Sequence, residues 1–197
     1  KKIGVIHNPV NKLIESYVVN NGISDLSKKS YILCVGRLEK QKAFHYAIIA
    51  FSRIIEQYPD LRLKIVGKGI LEPQLRALCD ELQISNLVDF EGFNQDVISY
   101  YLEAKLTLLT SLYEGFPNVL VESISLGTPV VAVDCQSGPR EIITKDNGYL
   151  VPPADLDALV GAISKALNRE WDVEAILTSS EKFSLQYAIA KYEELLR

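Results

Sequence analysis

From Tyr31 onward, short apolar runs alternate with stretches whose apolar residues recur every three or four positions, and no other feature restricts the fold as strongly. The runs at 31–35, 63–66, 88–90, 106–110, 129–133 and 148–151 have the length of strands, and 31–35 has the continuous hydrophobicity of a strand buried on both faces. Between them, Phe44, Ala47, Ile48, Phe51, Ile54 and Ile55 fall at helical spacing, and so do Leu71, Leu75, Leu78 and Leu82. Further helices are expected at 96–104, 118–126 and 155–167. Strands alternating with helices specify an α/β fold, a doubly wound parallel sheet of Rossmann-like type with both faces covered. Ligands of such sheets bind at the carboxyl ends of the strands, so the strand-to-helix loops are where function is read.

The chain has 197 residues, 48% of them hydrophobic, enough for one domain with a full core. Residues 1–30 read differently: a short strand over 2–6, a break at His7-Asn8-Pro9, then a polar connector with a turn at Asn20-Asn21-Gly22. The Rossmann-like domain is expected over 31–170. Residues 171–197 form a helical segment whose stripe is Leu185, Ala188, Ile189, Tyr192, Leu195 and Leu196. A net charge of −4 argues against nucleic acid as a partner. No apolar run approaches the roughly 20 residues that span a bilayer, and the opening does not resemble a signal peptide. The odd, widely spaced Cys34, Cys79 and Cys135 read as buried reduced thiols, which points to a cytoplasmic setting.

Five loops follow strand ends. The first, Val35-Gly36-Arg37-Leu38-Glu39-Lys40-Gln41-Lys42-Ala43, offers Arg37 and Lys42, a guanidinium and an ammonium able to neutralise a diphosphate. Basic residues after a strand are also commonly just solvated. The second, Val66-Gly67-Lys68-Gly69, has two glycines that permit close backbone approach to a ligand or simply a flexible turn. In the third, Phe93 and Asn94 could meet a base edge, or Phe93 could pack in the core. The fourth, Glu114-Gly115-Phe116-Pro117-Asn118-Val119-Leu120-Val121-Glu122, reads as a tight loop breaking into a helix, with Pro117 suited to the first helical position. Its free N–H groups favour an anion, and Glu114 and Glu122 place acceptor oxygens beside it. A nucleotide sugar combines those groups. The fifth loop, Ser137-Gly138-Pro139-Arg140-Glu141-Ile142, could close the far side or simply form a turn that caps a short helix.

Asp155-Leu156-Asp157 has the look of a metal-binding Asp-x-Asp, but Pro152-Pro153 before it favours a helix cap with an acid in the first turn. His7 and His45 have no ligand or triad partner at useful spacing.

Gly36-Arg37-Leu38 with Lys42, the Glu-x7-Glu of Glu114 and Glu122, Gly127-Thr128-Pro129-Val130-Val131-Ala132, and the run Gly148–Val151 occur in one order. Together they resemble the donor-binding half of the retaining glycosyltransferase family 4, of the GT-B fold, over about 31–167. The resemblance implies a UDP-sugar as donor and transfer of a hexosyl residue to a glycan or lipid-linked acceptor in polysaccharide biosynthesis. It implies no metal and no further cofactor. Arg37 and Lys42 match the family's basic pair on the diphosphate, Glu122 the glutamate on the ribose hydroxyls, and Glu114 the glutamate facing the transferred sugar. The backbone of Gly115, Phe116 and Pro117 would lie against the sugar, with Asn118 and Val119 near the phosphates. Two departures stand out: Ala43 and Pro117 occupy positions where members often carry Gly. The resemblance also implies an N-terminal domain holding the acceptor site, so that this chain alone would bind nucleotide and turn over little. It leaves room for peripheral membrane association of the full-length protein. Competing readings are a catalytically silent sugar-nucleotide-binding subunit and a GT-B sugar-nucleotide epimerase.

Overall fold

A computed structural model describes residues 6–23 and 28–196. Six strands, β1 (Tyr31–Val35), β2 (Arg62–Val66), β3 (Val88–Gly92), β4 (Leu106–Leu109), β5 (Val130–Val133) and β6 (Gly148–Val151), form one parallel sheet in the order β3-β2-β1-β4-β5-β6. Successive side chains of a strand point to opposite faces. Ile32 and Cys34 therefore join Leu63, Ile65, Leu106, Leu108 and Val131 in a core on one face, while Tyr31 and Leu33 join Val66 on the other.

The first face is covered by α2 (Phe44–Ser52), α3 (Glu72–Glu81) and α7 (Leu156–Asn168), which contribute Phe44, Phe51, Leu75 and Ile163. The second is covered by α1 (Lys12–Asn21), α4 (Ile98–Glu103), α5 (Asn118–Ser125), the short α6 (Pro139–Ile142) and α8 (Val173–Ser180). Each fully buried Leu, Ile or Phe on these faces contributes about 1.5–3 kcal/mol. The last helix, α9 (Leu185–Leu196), buries Ala188 and leaves Leu185, Ile189, Tyr192, Leu195 and Leu196 exposed.

The doubly wound parallel sheet is as the apolar pattern specifies, with differences at the element ends. Residues 96 and 97 precede α4 because the Asn94 and Asp96 side chains cap the Asp96 and Ile98 N–H groups in successive local turns. Ile54 and Ile55 lie in turns after α2, where Ile54 is still fully buried. The stretch read as a polar connector contains α1, capped by Asn11 and pinned by buried Ile14. Except for Ile6, the strand expected over 2–6 lies outside the described residues. Cys34, Cys79 and Cys135 are buried free thiols. Among the described residues, no helix is long and apolar enough to cross a membrane.

Candidate functional site

Strand order reverses between β1 and β4, and the crevice of a doubly wound sheet opens at that point. The loops leaving these two strands are tied together. The Leu112 N–H donates to Gln41 O at 2.8 Å, Gln41 Nε2 donates to Tyr113 O at 2.9 Å, and Thr110 Oγ1 donates to Lys42 O at 2.9 Å. Lys42 Nζ then donates to Glu114 Oε1 at 2.6 Å, and Ser111 Oγ donates to the same oxygen at 2.6 Å. Glu114 is thus a nearly buried carboxylate, its side chain 8% exposed, neutralised by a cation from the neighbouring loop. The Ser137 hydroxyl donates to Glu114 O, which fastens the loop after β5 to the same turn.

On the other side, the loops after β1, β2 and β3 are stacked in sequence. The Gly36 N–H donates to Val66 O at 3.0 Å, that of Leu38 to Lys68 O at 3.0 Å, and that of Gly67 to Gly92 O at 2.7 Å. A Cβ on Gly67 would sit 1.9 Å from Gly36 O, and one on Gly69 would sit 2.3 Å from Leu38 O. The two glycines read as permitting approach to a ligand are therefore required first by the neighbouring loop.

These loops and α5 enclose a cavity of about 450 Å³ lined by Val35, Gly36, Arg37, Val66, Gly67, Lys68, Phe93, Asn94, Val97 and Glu122. Five candidates from the sequence, Arg37, Gly67, Phe93, Asn94 and Glu122, meet there although they come from four separate segments. Lys42 is not in the wall itself, but its aliphatic stem covers Gly36, with Cε 3.0 Å from where a Cβ would stand. Lys42 and Glu114 therefore sit at the rim. The Arg37 side chain is 70% exposed, and among the described residues its ion-pair partner is Glu39, at 3.3 Å. Phe93 is exposed rather than packed in the core.

Glu122 projects from the second turn of α5 and is the cavity's only lining carboxylate among the described residues. Burial raises its pKa above the ordinary value, opposed by a hydrogen bond that Tyr101 donates to Oε2 at 2.9 Å. Tyr101 was not legible as a site residue, because its contact depends on how α4 docks against α5. Lys68 and Val97 were likewise not singled out.

The turn before α5 departs in detail from the expectation. Pro117 is the residue before the helix rather than its first, with φ −80° and ψ 85°, and its ring packs on Gly138. The Asn118 N–H is spent on Phe116 O at 3.0 Å and that of Leu120 on Pro117 O at 3.0 Å. Among the described residues, this leaves the Val119 N–H as the open donor of the first turn. Gly115 and Asn118 are exposed. The Phe116 ring turns away to stack on His7, 5.1 Å between centroids, and to contact Phe183. Only its backbone can face the crevice. Ala43 has the left-handed φ of 46°, a conformation that suits Gly better. Asp155 caps α7 through Ala158 N at 2.8 Å and Asp157 pairs with Arg53 at 2.7 Å, so the Asp-x-Asp is a helix start.

Residues 21–183 match the family model described as glycosyl transferases group 1. An uncharacterized glycosyltransferase of Haemophilus influenzae is 33% identical over 178 residues, covering 88% of this chain and 49% of that protein. Among solved structures, the apo form of the lipopolysaccharide outer core galactosyltransferase WaaB superposes with a TM-score of 0.82 at 28% identity, over 98% of this chain and 55% of its own. The pneumococcal O-GlcNAc transferase GtfA, in complex with UDP and GlcNAc, shares the fold with a TM-score of 0.78 at 22% identity, over 88% of this chain and 37% of its own. The chain thus spans about half the length of the first two. With most of its residues matched by the family model and its sheet that of a GT-B Rossmann-like domain, the chain belongs to the group 1 glycosyl transferases.

Proposed function

We propose that this chain is the donor-binding half of a retaining, family 4 hexosyltransferase that takes a UDP-sugar and serves a glycan or lipid-linked acceptor in polysaccharide biosynthesis. The observation that carries this reading is the convergence of Arg37, Gly67, Phe93, Asn94 and Glu122 on one cavity beside the Lys42–Glu114 pair. A volume of about 450 Å³ falls within the range of small-molecule sites. In this assignment the ribose hydroxyls donate to Glu122, whose carboxylate offers acceptors and no donors. The base lies toward Phe93 and Asn94. The diphosphate lies between Arg37, Lys42 and the first turn of α5, and the sugar reaches Glu114. The pneumococcal transferase of the same fold is described with UDP, which agrees with a uridine donor.

Cleavage of the anomeric C–O bond leaves charge on the departing diphosphate. Donors aimed there stabilise the transition state more than the ground state. Arg37, Lys42 and the Val119 N–H are placed for that role, and loss of one well-aimed donor raises a barrier by about 3 kcal/mol. Glu114, already paired with Lys42, orients the sugar. No metal takes part in this scheme.

The test is a melting-temperature panel with UDP-, GDP- and ADP-sugars, with and without chelator. Ligand at 100 times its Kd stabilises by about 2.7 kcal/mol, a readable shift. We expect the largest rise with a UDP-sugar, unchanged by chelator and reduced in Arg37→Ala. No rise with any nucleotide sugar would end the reading.

A further inference from the structure

We propose that Tyr101 is a positioning residue for the donor: its phenol fixes the Glu122 carboxylate so that the free oxygen meets the ribose hydroxyls. The inference rests on the assignment of the ribose to Glu122. Tyr101 is fully buried, and its hydroxyl donates to Glu122 Oε2 at 2.9 Å. Glu122 reaches the cavity wall, and Oε1 accepts no hydrogen bond among the described residues. One oxygen is therefore held from behind while the other remains open toward the ligand.

The backbone that carries the phenol is itself held. Thr128 Oγ1 donates to Tyr101 O at 2.6 Å, and the Thr128 N–H donates to Ser123 O at 3.0 Å, one residue beyond Glu122 on α5. Thr128 Oγ1 also accepts from Lys28 Nζ at 2.6 Å. This chain of bonds sets the α4–α5 distance, and with it the direction of the carboxylate.

The chemistry of the partner matters as much as its position. Among the described residues no Lys or Arg pairs with Glu122. An arginine would occupy both oxygens in a bidentate pair. A neutral phenol takes one acceptor site and leaves the negative charge in place. That arrangement favours neutral hydroxyls and repels a phosphate at the ribose, so the site suits an unmodified ribose.

The experiment measures binding to this chain by calorimetry, using whichever of UDP, GDP and ADP binds most tightly and its 2′,3′-dideoxy counterpart. The native chain should prefer the ribose form. In Tyr101→Phe that preference should shrink about tenfold, the scale of one hydrogen bond to a charged group, while affinity for the dideoxy form stays unchanged. Glu122→Gln should lose the preference as well. Equal weakening of both ligands in Tyr101→Phe would mean that the phenol only supports the fold, and unchanged binding of both would mean that it does nothing for the ligand. Either overturns the proposal. Should Tyr101→Phe fail to fold, Tyr101→Leu, which also removes the donor, is read against the same two ligands and the same outcomes. If the native chain shows no preference and Glu122→Gln changes nothing, the ribose assignment itself fails, and the pattern separates that failure from the other.

Discussion

Glu122 is held in the wall of the cavity against its own solvation, and its stability and binding should respond in opposite directions. Burial raises the folded pKa of this carboxylate above the unfolded value. The folded state then takes up its proton first as pH falls, so the burden of the buried charge is present at neutral pH and disappears on acidification. Glu122→Gln keeps an acceptor for Tyr101 and removes the charge. We expect it to melt higher than the native chain at pH 7, with the gain fading as pH falls through the raised pKa and absent below the ordinary glutamate value. Nucleotide affinity should drop at the same time. Paired melting and binding curves check both, and a variant that melts lower at pH 7 would contradict the argument. The role of Tyr101 could not be read from the sequence, because 21 positions separate it from its partner and nothing in the Tyr100-Tyr101 pair of a short helix says which of them meets which carboxylate. Glu122 itself was readable, since its spacing from Glu114 survives any reasonable placement of the helix start.

At the level of elements, the central strands were legible because a strand buried on both faces must be largely apolar, as Tyr31–Val35 and Val130–Val133 are. Helix α1 was not. Only Ile14 of its residues is buried, with Tyr17 and Val18 partly packed beside it, while Leu13 and Val19 face solvent and blur that short stripe in the sequence. The stacking of Gly67 and Gly69 against the β1 loop was also hidden, since a glycine that permits contact with a ligand and one that permits contact with a neighbour look alike in sequence. Asp155 was the clearer case, and it yields a prediction. Asp155→Ala should lower stability by about 1 kcal/mol, the usual contribution of an N-cap, and leave nucleotide affinity unchanged. Loss of binding without loss of stability, measured by denaturant titration and calorimetry, would revive a ligand role for that carboxylate.

Across the whole molecule, the exposed residues of α9 and the chain's span of about half its relatives set the next expectation. The chain should bind nucleotide with the affinity of a full-length relative and transfer sugar at less than a hundredth of its rate, on the reasoning that the acceptor must be positioned as well as the donor. Side-by-side binding and product assays decide this. Turnover comparable to a full-length enzyme would place acceptor binding within these residues.

The cross-bonded rim at the reversal of strand order has a consequence for how a ligand would be received. Because each wall of the cavity is fastened to its neighbour within one sheet, the shape of the cavity is set by these loops alone, and a ligand seated there would meet a framework already in place.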